Sequence, residues 1–308
     1  MKHKVLISTS TFGVSDDTPL KRLAQAGLEA NINPYKRKLS KEELLNLLPE
    51  VTGLIAGLET LDEEVMSRSD LKVISRCGSG LSNIDMRAAE RLGIKVCSTP
   101  RAPTQAVAEL TIACLLNLLR GVSTMDQDLH QGRWNKQTGL QLEGKTILIV
   151  GWGRIGRRVA ELLRPFHVRI IVVDPFVQNI TKQFEFLTLA QGLPLADVIT
   201  LHCSGEDCFF SAGEFALMKK GAFLLNAARG GLIDEKALIK AIDERLVAGA
   251  WLDTFEQEPY VGELMRYHQV LLTPHVGSYT EECRRQMELE AVENLIFAFE
   301  EIESRCQI

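Results

Sequence analysis

Residues 145–163 read "KTILIVGWGRIGRRVAELL". An apolar run from Thr146 to Val150 is followed by glycines at 151, 153 and 156, and then by a stretch whose apolar residues recur at helical spacing. The run has the length of a buried β-strand, and the glycines mark its join to a helix. In such a strand–turn–helix unit, Gly151 permits the tight turn and Gly153 lets the backbone approach a pyrophosphate. Gly156 lets the helix lie close to the strand, whose neighbouring helix N-terminus then faces the phosphates. The next strand, "RIIVVD" (169–174), ends on Asp174, where a carboxylate accepts hydrogen bonds from the ribose 2′-OH of NAD and repels the 2′-phosphate of NADP. The residues that follow, "PFVQNI" (175–180), contain no arginine to reverse that preference. The pattern predicts a dinucleotide-binding unit that prefers NAD. The alternative is a glycine turn serving another ligand, such as S-adenosylmethionine.

The same alternation extends in both directions. Downstream, "ADVITLHC" (196–203), "GAFLLNAARG" (221–230), "VAGAWLD" (247–253) and "QVLLTPH" (269–275) read as strands, with helical patterns between most of them. Upstream, the strands are "KVLIST" (4–9), "VTGLIAG" (51–57), "LKVISRCG" (71–78) and "IKVCST" (94–99). Ser40 to Glu43 form a capping box for the helix "KEELLNLL" (41–48), Thr60 to Glu63 cap another, and "DMRAAERLG" (85–93) is a helix stopped by Gly93. Continuous apolar strands separated by helices imply parallel sheets covered on both faces. Between the two series, a mostly apolar helix runs from Thr104 to Arg120, followed by a loop containing Gly132 and Trp134. The last segment, "EECRRQMELEAVENLIFAFEEIE" (281–303), is a helix long enough to return to the first unit.

The 308 residues suffice for two domains. With 45% hydrophobic and 24% charged residues, the composition is that of an ordinary globular chain. A net charge of −5 gives no general affinity for nucleic acid or an anionic membrane, so an anionic ligand needs locally placed arginines or backbone N–H groups. The seven cysteines, at 77, 97, 114, 203, 208, 283 and 306, are odd in number and form no C-x-x-C pair. A disulfide framework or metal site is therefore not expected, and a reducing, cytoplasmic setting is. The N-terminus enters a strand without a leader-like apolar region, and no run reaches the roughly 20 apolar residues of a membrane span.

Three downstream segments close a strand with a polar group: "NAARGG" (226–231) with Arg229, "DTFEQEP" (253–259) with Glu258, and "LTPH" (272–275) with His275. Singly, each has a plain reading as a surface charge, a solvated loop residue or a strand terminator. Open α/β sheets bind ligands at the carboxyl ends of their strands, so together they are candidates for chemistry.

With these segments in place, the chain resembles the D-isomer-specific 2-hydroxyacid dehydrogenase family, which includes phosphoglycerate, glycerate, formate and phosphite dehydrogenases. The resemblance covers nearly the whole chain: "CGSGLSNID" (77–85), "AVAELTIACLLNLLR" (106–120), "GRWNKQTGLQLEGKTILIVGWGRIG" (132–156), "LMKKGAFLLNAARGGLIDEKAL" (217–238), "WLDTFEQEP" (251–259) and "LTPHVGSYT" (272–280). It implies an α/β fold of two doubly wound parallel-sheet domains. These are a flavodoxin-like substrate domain, 1–99 plus 281–308, and a Rossmann NAD-binding domain, 100–280. It implies that His275 exchanges a proton with the substrate oxygen, that Glu258 orients the ring and favours imidazolium, and that Arg229 holds the substrate carboxylate and polarises the carbonyl. Backbone N–H groups of Ser79 and Gly80 would grip the same carboxylate. Further cofactor contacts are implied at Arg154, Ile155, His202, Ala227, Asp253 and Thr104, beside Gly151, Gly153, Gly156 and Asp174.

The resemblance also implies a homodimer built on the 104–120 helix and its flanks, and a small 2-hydroxy or 2-oxo acid as substrate. After "ITLH" the chain reads Cys203-Ser204-Gly205-Glu206 where the family has Pro-Leu, which adds negative charge near the cofactor. Arg76 matches a phosphate-binding position of phosphoglycerate dehydrogenases, and Arg101 and Lys136 are candidates to supplement it. The strand end that often adds another arginine is here "IAGLE" (55–59), with Gly57 and Glu59. A phosphorylated acid such as 3-phosphoglycerate is thus one expectation, without the C-terminal regulatory domains of many such enzymes. The competing reading in another functional class is an NAD(H)-sensing interaction protein, like the corepressors built on this fold.

Overall fold

A computed structural model describes residues 3–14, 16–177, 184–205 and 207–305. In chain order the elements begin with β1 (Lys4–Ile7), α1 (Thr18–Gln25), β2 (Glu29–Ile32), α2 (Lys41–Leu47), β3 (Gly53–Ala56) and α3 (Glu63–Ser67). There follow β4 (Val73–Arg76), α4 (Met86–Arg91), β5 (Lys95–Ser98), α5 (Pro103–Arg120), α6 (Val122–His130), β6 (Thr146–Val150), α7 (Arg154–Leu163) and β7 (Arg169–Val173). The remainder are β8 (Glu185–Phe186), α8 (Leu189–Gly192), β9 (Val198–Leu201), α9 (Ala212–Leu217), β10 (Ala222–Asn226), α10 (Glu235–Asp243), β11 (Val247–Leu252), β12 (Val270–Leu272) and α11 (Glu281–Arg305). The chain divides into two compact units, Met1–Pro103 with Ser278–Ile308, and Thr104–Gly277.

The first unit is a five-stranded sheet in the order β2-β1-β3-β4-β5, parallel throughout. This is the flavodoxin-like order, whose switch point lies between β1 and β3. Leu6, Leu54 and Ile74 from successive strands are fully buried against Leu44, Leu61 and Val65. The return helix α11 covers the sheet: Ser75 Oγ donates to the Ala291 carbonyl at 2.8 Å, and Phe299 and Leu295 occupy the space a side chain at Gly53 would need. The capping box of α2 is present, with Ser40 and Glu43 each accepting from the other's backbone N–H. Helix α3 starts two residues later than a Thr60 cap predicts. Asp62 caps it by accepting from Val65 N at 3.0 Å, because Leu61 is held in a parallel bridge to Ile84 and cannot enter the helix.

The second unit is a seven-stranded parallel sheet in the order β8-β7-β6-β9-β10-β11-β12. Counted from β6 this is the Rossmann order with one further strand, and it switches direction between β6 and β9. Both faces are covered. Along β6, Leu148 and Val150 join the core on one side, while Ile147 and Ile149 join the core on the other. That is why the strand reads as an unbroken apolar run and not as an alternation. Helix α5 contributes Ala108, Cys114, Leu115 and Leu119 to one of these layers.

Where the sequence pattern suggests only a loop after Arg120, a second helix, α6, follows. Gly121 in the left-handed conformation breaks the chain, and Asn117 Oδ1 accepts from Ser123 N at 2.9 Å to start the new turn. Among the described residues no single helix is long and apolar enough to cross a membrane; α5 and α6 meet that test only together, bent by 66°. The six cysteines described are all free, and among the described residues no group of three or more His, Cys, Asp or Glu side chains is placed to hold a metal ion. Cys306 lies outside the described residues.

Candidate active site

At the switch point of the second unit, the glycine turn after β6 has the conformation its spacing predicts. Gly151 has φ +100°, and a Cβ there would lie 2.5 Å from Cys203 N. A Cβ at Gly156 would lie 2.1 Å from the Gly151 carbonyl oxygen, so helix and turn touch as only glycine permits. The space above Gly153 is open, and no side chain caps α7. The first N–H groups of α7, which carries Arg154 and Ile155, are therefore available to an anion. Asp174 is partly buried at the end of β7 and accepts from Trp152 N at 2.7 Å and Phe176 N at 2.9 Å, one bond to each oxygen. Its remaining lone pairs are those a ribose could use. Residues 178–180 of the arginine-free segment, and Glu206, lie outside the described residues.

Among the described residues of this unit, three buried polar atoms have no hydrogen-bond partner: Thr104 Oγ1, His202 Nδ1 and Thr254 Oγ1. Buried polar groups are nearly always paired, so these three await a ligand or solvent. Burial pushes the His202 imidazole down to about 3, which keeps it neutral, and its Nε2 lies 2.9 Å from Thr200 Oγ1. The open helix terminus, the glycine cradle and the orphaned atoms fit a dinucleotide.

The ends of β10, β11 and β12 carry the remaining candidates of this unit. His275 Nδ1 lies 2.9 Å and 3.1 Å from the two oxygens of Glu258, whose Oε1 also accepts from Phe255 N at 3.1 Å. His275 has φ +53°, an unusual conformation for a residue with a side chain, and such conformations gather at functional sites. What holds it there is Asp253. This residue is 1% exposed, and it accepts from Thr273 Oγ1 (2.6 Å), Val276 N (2.9 Å) and Gly277 N (2.8 Å). Trp251 Nε1 donates to the same Thr273 hydroxyl at 2.9 Å. Arg229 follows β10 in a turn closed by Asn226, which accepts from Ala228 N and donates to the Arg229 carbonyl. One guanidinium nitrogen, Nη1, donates to the Ala228 carbonyl at 2.7 Å. Gly230 lets this turn lie directly on residues 255 and 256, so the arginine and glutamate segments are in contact. Ala227, in the same turn, is partly exposed.

In the first unit, the loop after β4 turns at Gly78, whose N–H donates to Thr99 Oγ1 at 2.7 Å. Among the described residues the N–H groups of Ser79 and Gly80 donate to no protein acceptor, which suits a carboxylate ligand. Arg76 Nη1 donates to the Cys77 carbonyl at 2.7 Å. The sequence reading missed Thr254, Thr273 and Trp251. A threonine two residues before a strand-end histidine, facing a tryptophan in the previous strand, was the available signal.

Fold and site together describe a nucleotide-dependent α/β enzyme with an imidazole–carboxylate pair at its strand ends. A family model for the D-isomer specific 2-hydroxyacid dehydrogenase NAD-binding domain matches residues 112–277. Hydroxypyruvate reductase of Thermotoga maritima is 35% identical over 268 residues, 83% of this chain and 88% of that protein. Glyoxylate reductase of Thermofilum pendens is 38% identical over 274 residues, 83% and 81% of the two chains. The crystal structure of the TT0316 protein from Thermus thermophilus superposes with a TM-score of 0.88 at 35% identity, covering 96% of this chain and 97% of that one. The chain belongs to the D-isomer specific 2-hydroxyacid dehydrogenase family, and is an oxidoreductase with an NAD-binding Rossmann domain.

Proposed function

We propose that this protein interconverts a small 2-oxo acid and its D-2-hydroxy acid, with His275 as acid/base, Glu258 as its orienting partner and Arg229 as the carboxylate and carbonyl ligand. The His275–Glu258 pair on a left-handed backbone position is the observation that carries this reading. Because Nδ1 faces the carboxylate, the proton to be exchanged with substrate sits at Nε2. An imidazole suits both directions, since it gains and loses a proton near neutral pH. Arg229 keeps one nitrogen on the Ala228 carbonyl, so its remaining N–H groups serve the substrate carboxylate and the charge that develops on the carbonyl oxygen. Ser79 and Gly80 contribute backbone N–H groups to the carboxylate. Bound NAD supplies the hydride acceptor or donor. Gly151, Gly153, Gly156, Arg154 and Ile155 hold its pyrophosphate, and Asp174 its adenosine ribose, with preference over NADP. Thr104, His202, Ala227 and Asp253 complete its contacts.

Hydroxypyruvate and glyoxylate are the first substrates to try, by likeness to the two reductases. Arg76 keeps 3-phosphohydroxypyruvate in the set. A homodimer in a cytoplasmic setting goes with this reading. Among the exposed apolar side chains, Val122 (53%), Leu129 (55%) and Trp134 (78%) follow α5 in the chain, while α5 itself is largely committed to the core of its own unit.

The test is a steady-state screen of these 2-oxo acids with NADH, on the natural chain and on His275→Ala and Arg229→Ala. Each substitution is expected to lower turnover by roughly 10²–10⁴-fold while NADH still quenches the fluorescence of Trp152. Turnover unchanged in either variant would refute the assignment. Binding of NADH without turnover of any acid would favour a sensing role instead.

A further inference from the structure

The segment that carries Glu258 is held at both of its ends, and Tyr260 supplies the second hold. Residues 256–259 are exposed, while Phe255 before them and Tyr260 after them are partly buried against the core of their unit. The two rings lie face to face, with centroids 4.2 Å apart and planes 22° from parallel. They close residues 255–260 into a loop that has Glu258 within its span. Inside that loop the Phe255 N–H donates to Glu258 Oε1 at 3.1 Å, and the same carboxylate faces His275 Nδ1. An exposed carboxylate keeps one orientation only if the backbone beneath it is fixed, because free rotamers cost entropy to select.

The Tyr260 ring is pinned in turn. Its Oη donates to Glu235 Oε1 at 2.7 Å and accepts from Leu264 N at 3.3 Å. Glu235 stands in the first turn of α10, which Asp234 caps by accepting from Ala237 N at 3.1 Å. Leu238, Ala241 and Ile242 bury one side of that helix, so the carboxylate that holds the phenol rides on a fixed element. Burial, followed by the bond to Glu235, pushes the Tyr260 phenol up to about 12, so it stays a protonated donor at neutral pH. Gly262 keeps the place free, since a Cβ there would lie 2.1 Å from Tyr260 Oη. Reacting groups hold productive geometry when the side chains around them are themselves locked by packing and hydrogen bonds. Tyr260 is locked by both.

We propose that Tyr260 is a positioning residue for proton exchange: anchored on Glu235 and stacked on Phe255, it fixes Glu258 in register with His275. The proposal rests on the dehydrogenase reading above and adds the side chain that keeps the imidazole–carboxylate pair together.

The experiment measures kcat and KM with NADH and whichever of hydroxypyruvate, glyoxylate and 3-phosphohydroxypyruvate the natural chain reduces fastest. Tyr260→Phe keeps the stack and loses the anchor, and it should lower kcat about tenfold. Tyr260→Leu loses both and should lower kcat about 10²-fold, the loss expected from a misplacement of about 1 Å. The KM for NADH should stay within about twofold in each, because the chemical step alone is touched. Glu235→Ala should match Tyr260→Phe, while Glu235→Gln, whose amide oxygen still accepts from the phenol, should recover most of the rate. Tyr267→Phe removes a phenol that lies 3.4 Å from Asp243 at the far end of α10, and it should leave kcat unchanged. In a Glu258→Ala background, Tyr260→Leu should change kcat by less than about twofold, because its route to the chemistry is gone. A loss of equal size in both backgrounds, or natural kcat in Tyr260→Phe, overturns the inference and leaves the dehydrogenase reading standing. If Tyr260→Leu does not fold, the Glu235 pair decides: equal rates in Glu235→Gln and Glu235→Ala overturn it too. No reduction of any of the three acids, with NADH bound, removes both.

Discussion

A methyl group at position 230 would lie 1.9 Å from the carbonyl carbon of Phe255 and 2.2 Å from the nitrogen of Glu256. These are backbone atoms of the segment whose next residues carry Glu258, and they cannot move aside like the tip of a flexible side chain. Gly230→Ala must therefore push the 255–258 segment away and disturb the 2.9 Å approach of Glu258 to His275. A displacement of about 1 Å at a reacting group costs on the order of 10² in rate. The expected result is a fall of that size in kcat/KM, with NADH binding kept and a stability loss of about 1–3 kcal/mol from overpacking. Gly213→Ala, where a Cβ meets nothing within 4 Å, should change neither. Steady-state kinetics and thermal melts of the two variants decide it, and equal activity in both would deny Gly230 this part. The candidates at this scale, Arg229, Glu258 and His275, stand out in the sequence because each is a polar residue in the short segment that follows an apolar strand. The brace of Asp253 and Thr273 is not. Its bonds join residues 20 to 24 apart, and they form only because β11 and β12 pair with Trp251 opposite Leu271.

Single elements show what a local pattern can and cannot announce. The α2 capping box needs only four consecutive residues, so the sequence shows it in full. Replacing Ser40 by alanine should cost about 1 kcal/mol, read as a lowered urea midpoint with unchanged slope. The Arg37 guanidinium, followed by the Ser40 N–H, holds the Glu43 carboxyl down to about 2. A carboxyl depressed by folding stabilises the fold above its ordinary range and loses that contribution as pH falls from about 4.5 through about 2. The difference in midpoint between the natural chain and Glu43→Gln should therefore be constant at neutral pH and close only in that acid window. A difference that is the same at pH 3 and pH 7 would remove the charged cap from the account. Other elements carry no such signature. The edge strand β2, "EANI", is mostly exposed and so has no apolar run. Helix α6 keeps Val122 and Leu129 in solvent, so its spacing shows no buried stripe. The start of α3 departs from its local cap signal because the bridge between Leu61 and Ile84, set by pairing across 23 residues, overrides it.

At the scale of the whole chain, the proposed reading assigns cofactor binding to one unit and part of the substrate grip to the other. Thr104–Gly277 is one continuous segment, and it contains the glycine turn, Asp174, Arg229, Glu258 and His275. It also contains α5, whose buried face completes that unit's own core with Ile147, Ile149 and Trp251, so cutting before Thr104 leaves no layer of this sheet bare. The other unit is discontinuous. Its sheet is covered by α11 from the far end of the chain, and it alone holds Ser79, Gly80 and Arg76. The segment 104–277 produced alone should therefore fold cooperatively and quench the fluorescence of Trp152 on adding NADH. It should show no turnover of any 2-oxo acid, because half of the proposed carboxylate grip is missing. It retains Val122, Leu129 and Trp134 as well, so if these side chains form the homodimer contact, the isolated segment should sediment as a dimer at micromolar concentration. A monomeric segment that still binds NADH would move the dimer contact to the other unit. A folded segment without NADH quenching would break the link drawn between the glycine turn and the cofactor. Residual turnover in it would show that Ser79 and Gly80 are dispensable for the chemistry.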